Sequence, residues 1–320
     1  MLSPLALALL FVGASAAHFP VHSWATVPAF IHTSVLNDAV LCAADLAVFA
    51  RFSAITIEKW QGCNATPGCY HPNNAASPSS SVVCASQEAA TLAAAAQIKA
   101  ASPNASVFTW TDSLRVYSRR SINPDIRDVE WQSCVRNELA EYVEANPELA
   151  LRNASGGLAL ESYLHAHVYD HTNSRMAALW QEACLNATAS GLLDGCGADA
   201  GSQTGSYILG LDPAKSAAWT AAHIATMEST TAAMSALGGV VLGKVLAQLG
   251  SSTNGVLQEG CGASNTTINT LRAASAAATA ASTRYLFECH SNGSVDELAA
   301  FLCGAGVDHY WGFGGWVYQR

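Results

Sequence analysis

The chain has 320 residues, of which 50% are hydrophobic and only 12% are charged, and its formal net charge is −9. This composition supplies a large apolar core and excludes an intrinsically disordered chain. The largest basic cluster is Arg119-Arg120, whereas a nucleic-acid or anionic-membrane partner would need a basic patch, so neither partner is expected. The length suits one large domain, since barrels of alternating strands and helices commonly run to about 250 residues.

Residues 1–16 have the pattern of a secretory signal peptide. An apolar run at residues 5–12 precedes Ala14-Ser15-Ala16, which has the small-x-small form of a cleavage site, although no Lys or Arg precedes the run. The ten cysteines predict disulfides, among which a Cys63–Cys69 bridge would close a turn-rich segment. Six glycosylation sequons also fit an exported protein, at Asn64, Asn104, Asn153, Asn186, Asn265 and Asn292. We therefore expect a secreted or lumenal protein whose mature domain is residues 17–320.

Short β-like runs alternate with longer Ala-rich helical runs from residue 27 to residue 303. Such alternation indicates parallel strands joined by crossover helices. Eight strands are predicted, at residues 29–32, 54–58, 106–110, 167–170, 191–194, 239–242, 255–259 and 284–288. The main helices are predicted at residues 38–49, 87–100, 173–189, 216–237 and 267–281, and Asn173 has the residue type of an N-cap.

Eight β/α pairs predict an α/β fold of the closed (β/α)₈ type, the TIM barrel. The alternative is an open, doubly wound sheet, but no Gly-x-Gly-x-x-Gly motif follows the first strand to support a dinucleotide site. Two regions are longer than a minimal connection, namely a Ser/Asn loop at residues 72–81 and a possible lid at residues 128–154. A single, monomeric barrel domain with inserted loops is therefore expected.

In such a barrel the carboxyl ends of the strands line the active site. Acids dominate these ends, which carry His32, Glu58, Asp112, Asp170, Asp194, Asp199, Lys244, Glu259, Glu288 and His290. Because unpaired carboxylates are too costly to keep ionised in a core, acids after apolar runs indicate a cleft. Many carboxylates without a thiol nucleophile or Ser/His/Asp spacing favour glycoside hydrolysis, in which one carboxyl group protonates the leaving oxygen and another acts as nucleophile or base.

The catalytic candidates are Asp194 and Asp199, either of which would be nucleophile or electrostatic stabiliser, and Glu259 as general acid. Substrate contacts are predicted for His32, Glu58, Trp60, Asp112, Asp170 and Glu288. Structural roles remain open alternatives. Asp170 could cap the following helix, Asp194 could hold loop amides, and Glu288 could pair with His290. The Gly/aromatic segment at residues 309–316 is predicted to pack structurally, and neither a metal nor a cofactor is expected.

Residues 191–199, which read Gly-Leu-Leu-Asp-Gly-Cys-Gly-Ala-Asp, resemble the fifth-strand motif of barrel enzymes related to glycoside hydrolase family 114. Glu259 best matches the Glu that ends a later strand in those enzymes. The resemblance, which in general form covers residues 20–318, implies a secreted (β/α)₈ barrel that acts on glycosidic bonds and binds a carbohydrate. This chain differs from the family at Gly197, where a large apolar residue is usual, and at Lys244, near which an Asn is common.

Two other functions stay open. A non-catalytic carbohydrate-binding or surface protein could use the same fold, because a fold does not fix a function. A metal-dependent hydrolase could use the acids and His290 as ligands, although the histidines are scattered along the chain.

Overall fold

The computed structural model describes residues 19–34, 41–59, 61, 86–116, 137–200, 204–244, 252–280, 284–313 and 318–319. The predicted signal peptide, Trp60, Cys63, Cys69 and the loop at residues 72–81 lie outside these ranges. None of the helices in the described ranges is both long and apolar enough to cross a membrane.

Most of the strands are parallel and belong to one sheet. In chain order they are β1 (Phe30–Ser34), β2 (Ala54–Ile57), β3 (Ser106–Asp112), β4 (Leu160–Glu161), β5 (Gly195–Asp199), β6 (Ile208–Leu209), β7 (Val240–Gly243), β8 (Gly255–Gln258), β9 (Leu286–Ser291), β10 (His309–Phe313) and β11 (Tyr318–Gln319). The sheet runs β10-β9-β8-β7-β5-β3-β2-β1-β11, whereas β4 and β6 form a separate antiparallel ribbon.

The two ends of this sheet meet. Ala29, just before β1, bridges Trp311 of β10 in parallel, and the Trp311 amide donates to the carbonyl of Pro28 at 2.8 Å. The β11 strand continues along β1 in parallel register. The predicted (β/α)₈ barrel is therefore confirmed. Its eight strands are β1, β2, β3, β5, β7, β8, β9 and β10.

Alternate residues of the strands fill the barrel interior. One buried cluster joins seven of the strands, and its members are Phe30, Ala54, Phe108, Trp110, Val240, Leu242, Leu257, Leu286 and Tyr310. The residues between them pack outward against the helices, as Ile55 and Val107 do. The β5 strand brings glycine instead, and a Cβ on Gly197 would lie 1.9 Å from the Trp110 ring. The Trp110 indole thus takes up the volume that a larger residue on β5 would fill.

The helices lie outside the barrel and connect successive strands. They are α1 (Ala43–Phe49), α2 (Gln87–Ala101), α3 (Glu138–Ala145), α4 (Ser174–Ala189), α5 (Pro213–Ala236), α6 (Asn265–Ala280) and α7 (Val295–Gly304). Asn173 caps α4 by accepting a hydrogen bond from the Arg175 amide, as predicted. Asp212 caps α5 in the same way ahead of Pro213, a residue that suits a first helical position.

In the described part of the chain, two disulfides tie strands to neighbouring elements. Cys184 of α4 is bonded to Cys196 of β5, and Cys261 is bonded to Cys289 of β9. Both pairs lie on the outer, helix-facing side of the barrel among buried apolar residues. Disulfides are therefore part of this fold, as the cysteine content predicted.

Three strand predictions need correction. Residues 167–170 form only isolated antiparallel bridges, beside β4 and the turn after β3, and are not a barrel strand. The strand predicted at residues 191–194 lies instead at Gly195–Asp199, because Leu192 and Leu193 pack at the amino end of the barrel. The eighth strand of the barrel is β10. It lies in the Gly/aromatic segment, for which structural packing but no strand was predicted.

The described part of the predicted lid, residues 137–154, contains α3. Ala140, Val143 and Leu149 are buried against Met176 and Trp180 of α4. This segment is consequently part of the packed outer layer beside the barrel.

Candidate active site

A chain of ionisable side chains crosses the carboxyl end of the barrel. Its members, in order of contact, are His32, Glu58, Lys59, Asp199, Lys244 and Glu259. They come from the ends of β1, β2, β5, β7 and β8, and five of the six follow the interior alternation of their strands. Period two along each strand is thus what brings these distant residues to one place.

Glu58 is buried and contacts two other members of this row of ionisable side chains. Its Oε2 lies 2.9 Å from Nε2 of His32, and its Oε1 lies 2.8 Å from Nζ of Lys59. Burial favours the neutral acid, but the Lys59 ammonium and His32 outweigh it and hold the pKa of Glu58 below its usual value. Glu58 is therefore an ionised support for Lys59.

The carboxylate of Asp199 forms ion pairs with two lysines. Nζ of Lys59 lies 2.8 Å from Oδ2, and Nζ of Lys244 lies 2.8 Å from Oδ1. The backbone amide of Ala200 also donates to Oδ1 at 2.9 Å. Although burial opposes the charge, the two cations outweigh it and hold the pKa of Asp199 far below its usual range. This carboxylate is fully ionised at neutral pH.

Glu259 has the opposite environment. Burial raises the pKa of Glu259, and the nearby Lys244, whose Nζ lies 3.1 Å from Oε1, only partly opposes that rise. The side chain is still 26% exposed, so it faces the opening of the barrel. Burial disfavours the charge on Lys244 as well, but Asp199 and Glu259 outweigh it and raise the pKa of Lys244, which stays an ammonium.

The shared lysine limits the separation of the two acids. Oδ1 of Asp199 and Oε1 of Glu259 cannot be farther apart than the sum of their distances to Nζ of Lys244, which is about 5.9 Å. The two carboxyl groups therefore lie close together at the carboxyl end of the barrel, with the lysine ammonium between them.

A second buried ionic group borders this chain at the end of β3. Asp112 accepts hydrogen bonds from the amides of Leu114 and Arg115, and Nη1 of Arg115 lies 3.1 Å from its Oδ2. Nε of Arg115 lies 3.4 Å from Oε2 of Glu161 in the ribbon. Burial, with a contribution from Asp199 next to it in the sheet, outweighs the Arg115 charge and raises the pKa of Asp112 to about 6.

Glu288 lies deeper in the barrel, with no exposed surface. The hydroxyl of Thr56 is 3.2 Å from its Oε1 and 3.1 Å from its Oε2. Burial raises the pKa of Glu288 to about 8, which the hydrogen bond from Thr56 only partly opposes. Its carboxyl group is therefore neutral at pH 7 and faces Thr56 across the interior.

The barrel is similar to those of solved glycoside hydrolases. A GH31 family sulfoquinovosidase from E. rectale, in complex with an aza-sugar inhibitor, superposes with a TM-score of 0.52 at 11% identity over 92% of this chain and 44% of that chain. A xylosidase from Aspergillus niger has a TM-score of 0.48 at 10% identity, covering 93% and 44% of the two chains. A GH20 exo-β-N-acetylglucosaminidase from Vibrio harveyi has a TM-score of 0.48 at 9% identity, covering 83% and 41%.

The chain thus spans less than half the length of these three enzymes. At such low identity the first likeness shows a shared fold, the (β/α)₈ barrel. No family model matches the chain, and no curated protein matches it.

Several predicted site residues lie together, and others lie elsewhere. The carboxyl end of the barrel brings together His32, Glu58, Asp112, Asp199 and Glu259. Asp194 is at the opposite end, before β5, where it accepts hydrogen bonds from the Val107 amide at 2.8 Å and Nζ of Lys99 at 2.5 Å. Its position in the structure matches the structural alternative, a carboxylate that holds backbone amides.

Asp170 and Glu288 also differ from their predicted places. Oδ1 of Asp170 accepts from the amide and hydroxyl of Thr172 in the turn before α4, outside any barrel strand. Glu288 is beneath the mouth, against Thr56. Trp60 lies outside the described residues.

Three residues at the site were not predicted, namely the basic residues Lys59 and Arg115 and the acid Glu161. Lys59 follows Glu58 directly, and an ionisable pair after a β-branched strand was the available signal for it. Arg115 and Glu161 had no signal, because their meeting depends on the fold of the ribbon over the end of β3.

Proposed function

We propose that the protein is a secreted glycoside hydrolase that cleaves a poly- or oligosaccharide with Asp199 and Glu259 as its two carboxyl groups. The observation that carries this proposal is the contact of both side chains with Nζ of Lys244 at the carboxyl end of the barrel. Active sites of (β/α)₈ enzymes are found at this end. Two carboxyl groups within reach of one bond are what glycoside hydrolysis needs.

The environments of the two acids assign their roles. Asp199, held ionised by its lysines, is the nucleophile or electrostatic stabiliser of the oxocarbenium-like transition state. Glu259, whose pKa burial raises, is the general acid that protonates the leaving glycosidic oxygen. Asp112 and His32 lie beside this pair and would orient sugar hydroxyls.

The separation supports a retaining reaction. Carboxyl groups about 5 Å apart act by double displacement, whereas about 6.5–9.5 Å leaves room for the water of an inverting enzyme. The upper limit set by Lys244, about 5.9 Å between the nearest carboxyl oxygens, is closer to the first value than to the second. A sugar at this point would replace the Lys244 ammonium, whose side chain is 24% exposed and has solvent beside it, while the more deeply buried Lys59 would keep Asp199 ionised.

The test is a screen of purified protein against polysaccharides, including galactosaminoglycan and algal glucans, followed by Asp199→Asn and Glu259→Gln. We expect each substitution to reduce kcat by at least about a thousandfold, because the two groups act only together. Glu148→Gln, which changes an exposed acid far from the cleft, is the matched control. Equal turnover by Glu259→Gln would overturn the assignment of the acid, and an inverted product anomer would overturn the retaining mechanism.

A non-catalytic carbohydrate-binding protein is the second candidate. The observation that favours it is the number of contacts at the Asp199 carboxylate, which accepts from two lysines and one amide, since each such contact lowers the nucleophilicity of a carboxylate. Isothermal titration with the same polysaccharides separates the two functions, since tight binding without release of reducing ends would indicate a binding protein.

Export is proposed with this function. It is supported by the two disulfides, which persist in oxidising compartments, and by exposed sequon residues Asn104, Asn186 and Asn265. Amino-terminal sequencing of protein from a secreting host, before and after enzymatic deglycosylation, tests both points. An uncleaved, unglycosylated chain retained in the cytoplasm would contradict them.

A further inference from the structure

The backbone of Asp199 is held by Ser113 from the neighbouring strand end. The amide and the hydroxyl of Ser113 both donate to the Asp199 carbonyl oxygen, each at 2.9 Å. The next residue, Ala200, has a φ of 60°, and its amide turns back to Oδ1 of Asp199 at 2.9 Å. This left-handed conformation is costly for alanine and persists only where the surroundings impose it.

His223 on α5 stands directly behind Ser113. Nε2 of His223 lies 3.1 Å from Oγ of Ser113, and both residues are buried. The single hydroxyl proton of Ser113 goes to the Asp199 carbonyl, so Oγ accepts from Nε2–H of His223. The order of donation is thus His223 to Ser113 to Asp199, from the outer helix layer to the proposed nucleophile.

A second histidine fixes the other side of the same residue. Nε2 of His171 lies 2.7 Å from the carbonyl oxygen of Ser113, and its Nδ1 lies 3.3 Å from Oγ1 of Thr226. The two imidazole rings are 4.7 Å apart, and the Trp219 ring lies 4.6 Å from His223 and 5.8 Å from His171. Four aromatic or imidazole rings, counting Trp180 beside His171, hold the turn after β3 from outside the barrel.

This arrangement exceeds what packing alone requires. Burying two imidazoles and a hydroxyl costs free energy unless each polar atom is paired, and apolar side chains would fill the same space without that cost. Among the described residues, the Ser113 hydroxyl contacts His223 on one side and the backbone carbonyl of Asp199 on the other. The rate of an enzymatic reaction depends on holding each reacting group within a fraction of an ångström of its productive position.

We propose that Ser113 and His223 are positioning residues that hold the Asp199 carboxylate in its reactive geometry through the strained Asp199–Ala200 backbone. The inference rests on the proposed role of Asp199. Neither residue touches substrate, and both act through the carbonyl of Asp199. The proton of the hydroxyl is not transferred, since a neutral donor chain is sufficient to fix the backbone.

The test compares Ser113→Ala and His223→Phe with the conservative Ser113→Cys and His223→Gln, using the substrate found in the polysaccharide screen. We expect Ser113→Ala and His223→Phe to lower kcat by about 10–100-fold with KM changed less than twofold. His223→Gln keeps an N–H donor and should recover most of kcat, whereas the weak thiol donor of Ser113→Cys should give an intermediate value.

The variants also distinguish the two proposals. If Asp199→Asn is inactive while Ser113→Ala and His223→Phe have the wild-type kcat, the positioning role is overturned and the proposed function stands. If Asp199→Asn and Glu259→Gln both keep the wild-type kcat, the proposed function itself fails.

Folding is followed by circular dichroism and thermal unfolding. Should Ser113→Ala or His223→Phe fail to fold, the near-isosteric Ser113→Cys and His223→Gln decide the matter. A wild-type kcat in Ser113→Cys, or a kcat in His223→Gln as low as in Asp199→Asn, would overturn the role.

Discussion

The Thr56 hydroxyl lies nearly equidistant from the two carboxyl oxygens of Glu288, at 3.1 and 3.2 Å. A hydroxyl has one proton, so it can donate to only one of them. A neutral carboxylic acid completes the second hydrogen bond by donating its own proton to the hydroxyl oxygen. The geometry thus agrees with the raised pKa of Glu288, about 8.

Glu288→Gln should therefore change how stability depends on pH. In the unfolded chain the pKa of Glu288 has its usual value of 4.5, whereas in the folded chain it is about 8. Stability from this group is therefore complete below about pH 4.5 and is lost as pH rises to about 8. The amide of glutamine can make both hydrogen bonds to Thr56 without titrating. We expect urea unfolding at pH 5, 7 and 8.5 to show that stability falls with pH more steeply in the wild type than in the variant, by at most about 1.4 kcal/mol per pH unit. Equal slopes would show that Glu288 is ionised in the folded protein.

Lys244→Met should shift the pH dependence of turnover. The Lys244 ammonium lowers the pKa of Glu259, so its loss lets burial raise that pKa further. The alkaline limb of the kcat/KM profile, where the general acid loses its proton, should then move to higher pH. Lys244→Arg keeps the charge and serves as control. An alkaline limb that stays in place in both variants would show that Glu259 is not the acid.

Lys59→Met should destabilise the fold. Lys59 is buried between two buried carboxylates, Glu58 and Asp199, which would lose a shared cation. Removing one partner of a buried ion pair costs about 3–5 kcal/mol. The exposed pair of Arg175 and Glu148 provides the comparison, since Glu148→Gln there should change the free energy of unfolding by less than about 1 kcal/mol. Chemical unfolding at pH 7 measures both, and similar small changes would contradict the tight burial of Lys59.

Gly197→Ala should be among the most damaging small substitutions in the barrel. Its Cβ would lie 1.9 Å from the Trp110 ring, which is fully buried. Gly262→Ala is the matched control, because the nearest atom to its Cβ would be 4.0 Å away. We expect a cost of several kcal/mol at Gly197, against about 1 kcal/mol or less at Gly262. A Trp110→Ala background should relieve part of the cost at Gly197.

The packing of Trp110 against β5 shows why the sequence predicted the barrel but misplaced one of its strands. The alternation of short apolar runs with Ala-rich helices was sufficient for the barrel. It misplaced β5, because a strand of Gly, Cys, Gly, Ala and Asp has little β-propensity and depends on Trp110 from β3 to fill its interior face. Such compensation between neighbouring strands is a tertiary property and leaves no local signal.

The site divides in a similar way. Acids at strand ends follow from period two, so Glu58, Asp112, Asp199 and Glu259 were predictable. Their pairing was not, because Lys59 and Lys244 come from strands far apart in sequence and meet at Asp199 only when the barrel closes. The same error misplaced Asp194. The strand was predicted to end at Asp194, but β5 begins just after it, so Asp194 lies at the amino end of the barrel and not at the carboxyl end.

Closure of the barrel through Ala29 and Trp311 also has a consequence for biosynthesis. The first and last strands of the barrel come from opposite ends of the chain, so a growing polypeptide presents two unpaired sheet edges until β10 has been made. Exposed edges recruit strands from other chains, and long-range parallel pairing is slow to form. The edge of β1 therefore stays open to pairing with other chains until the last part of the barrel has been synthesised.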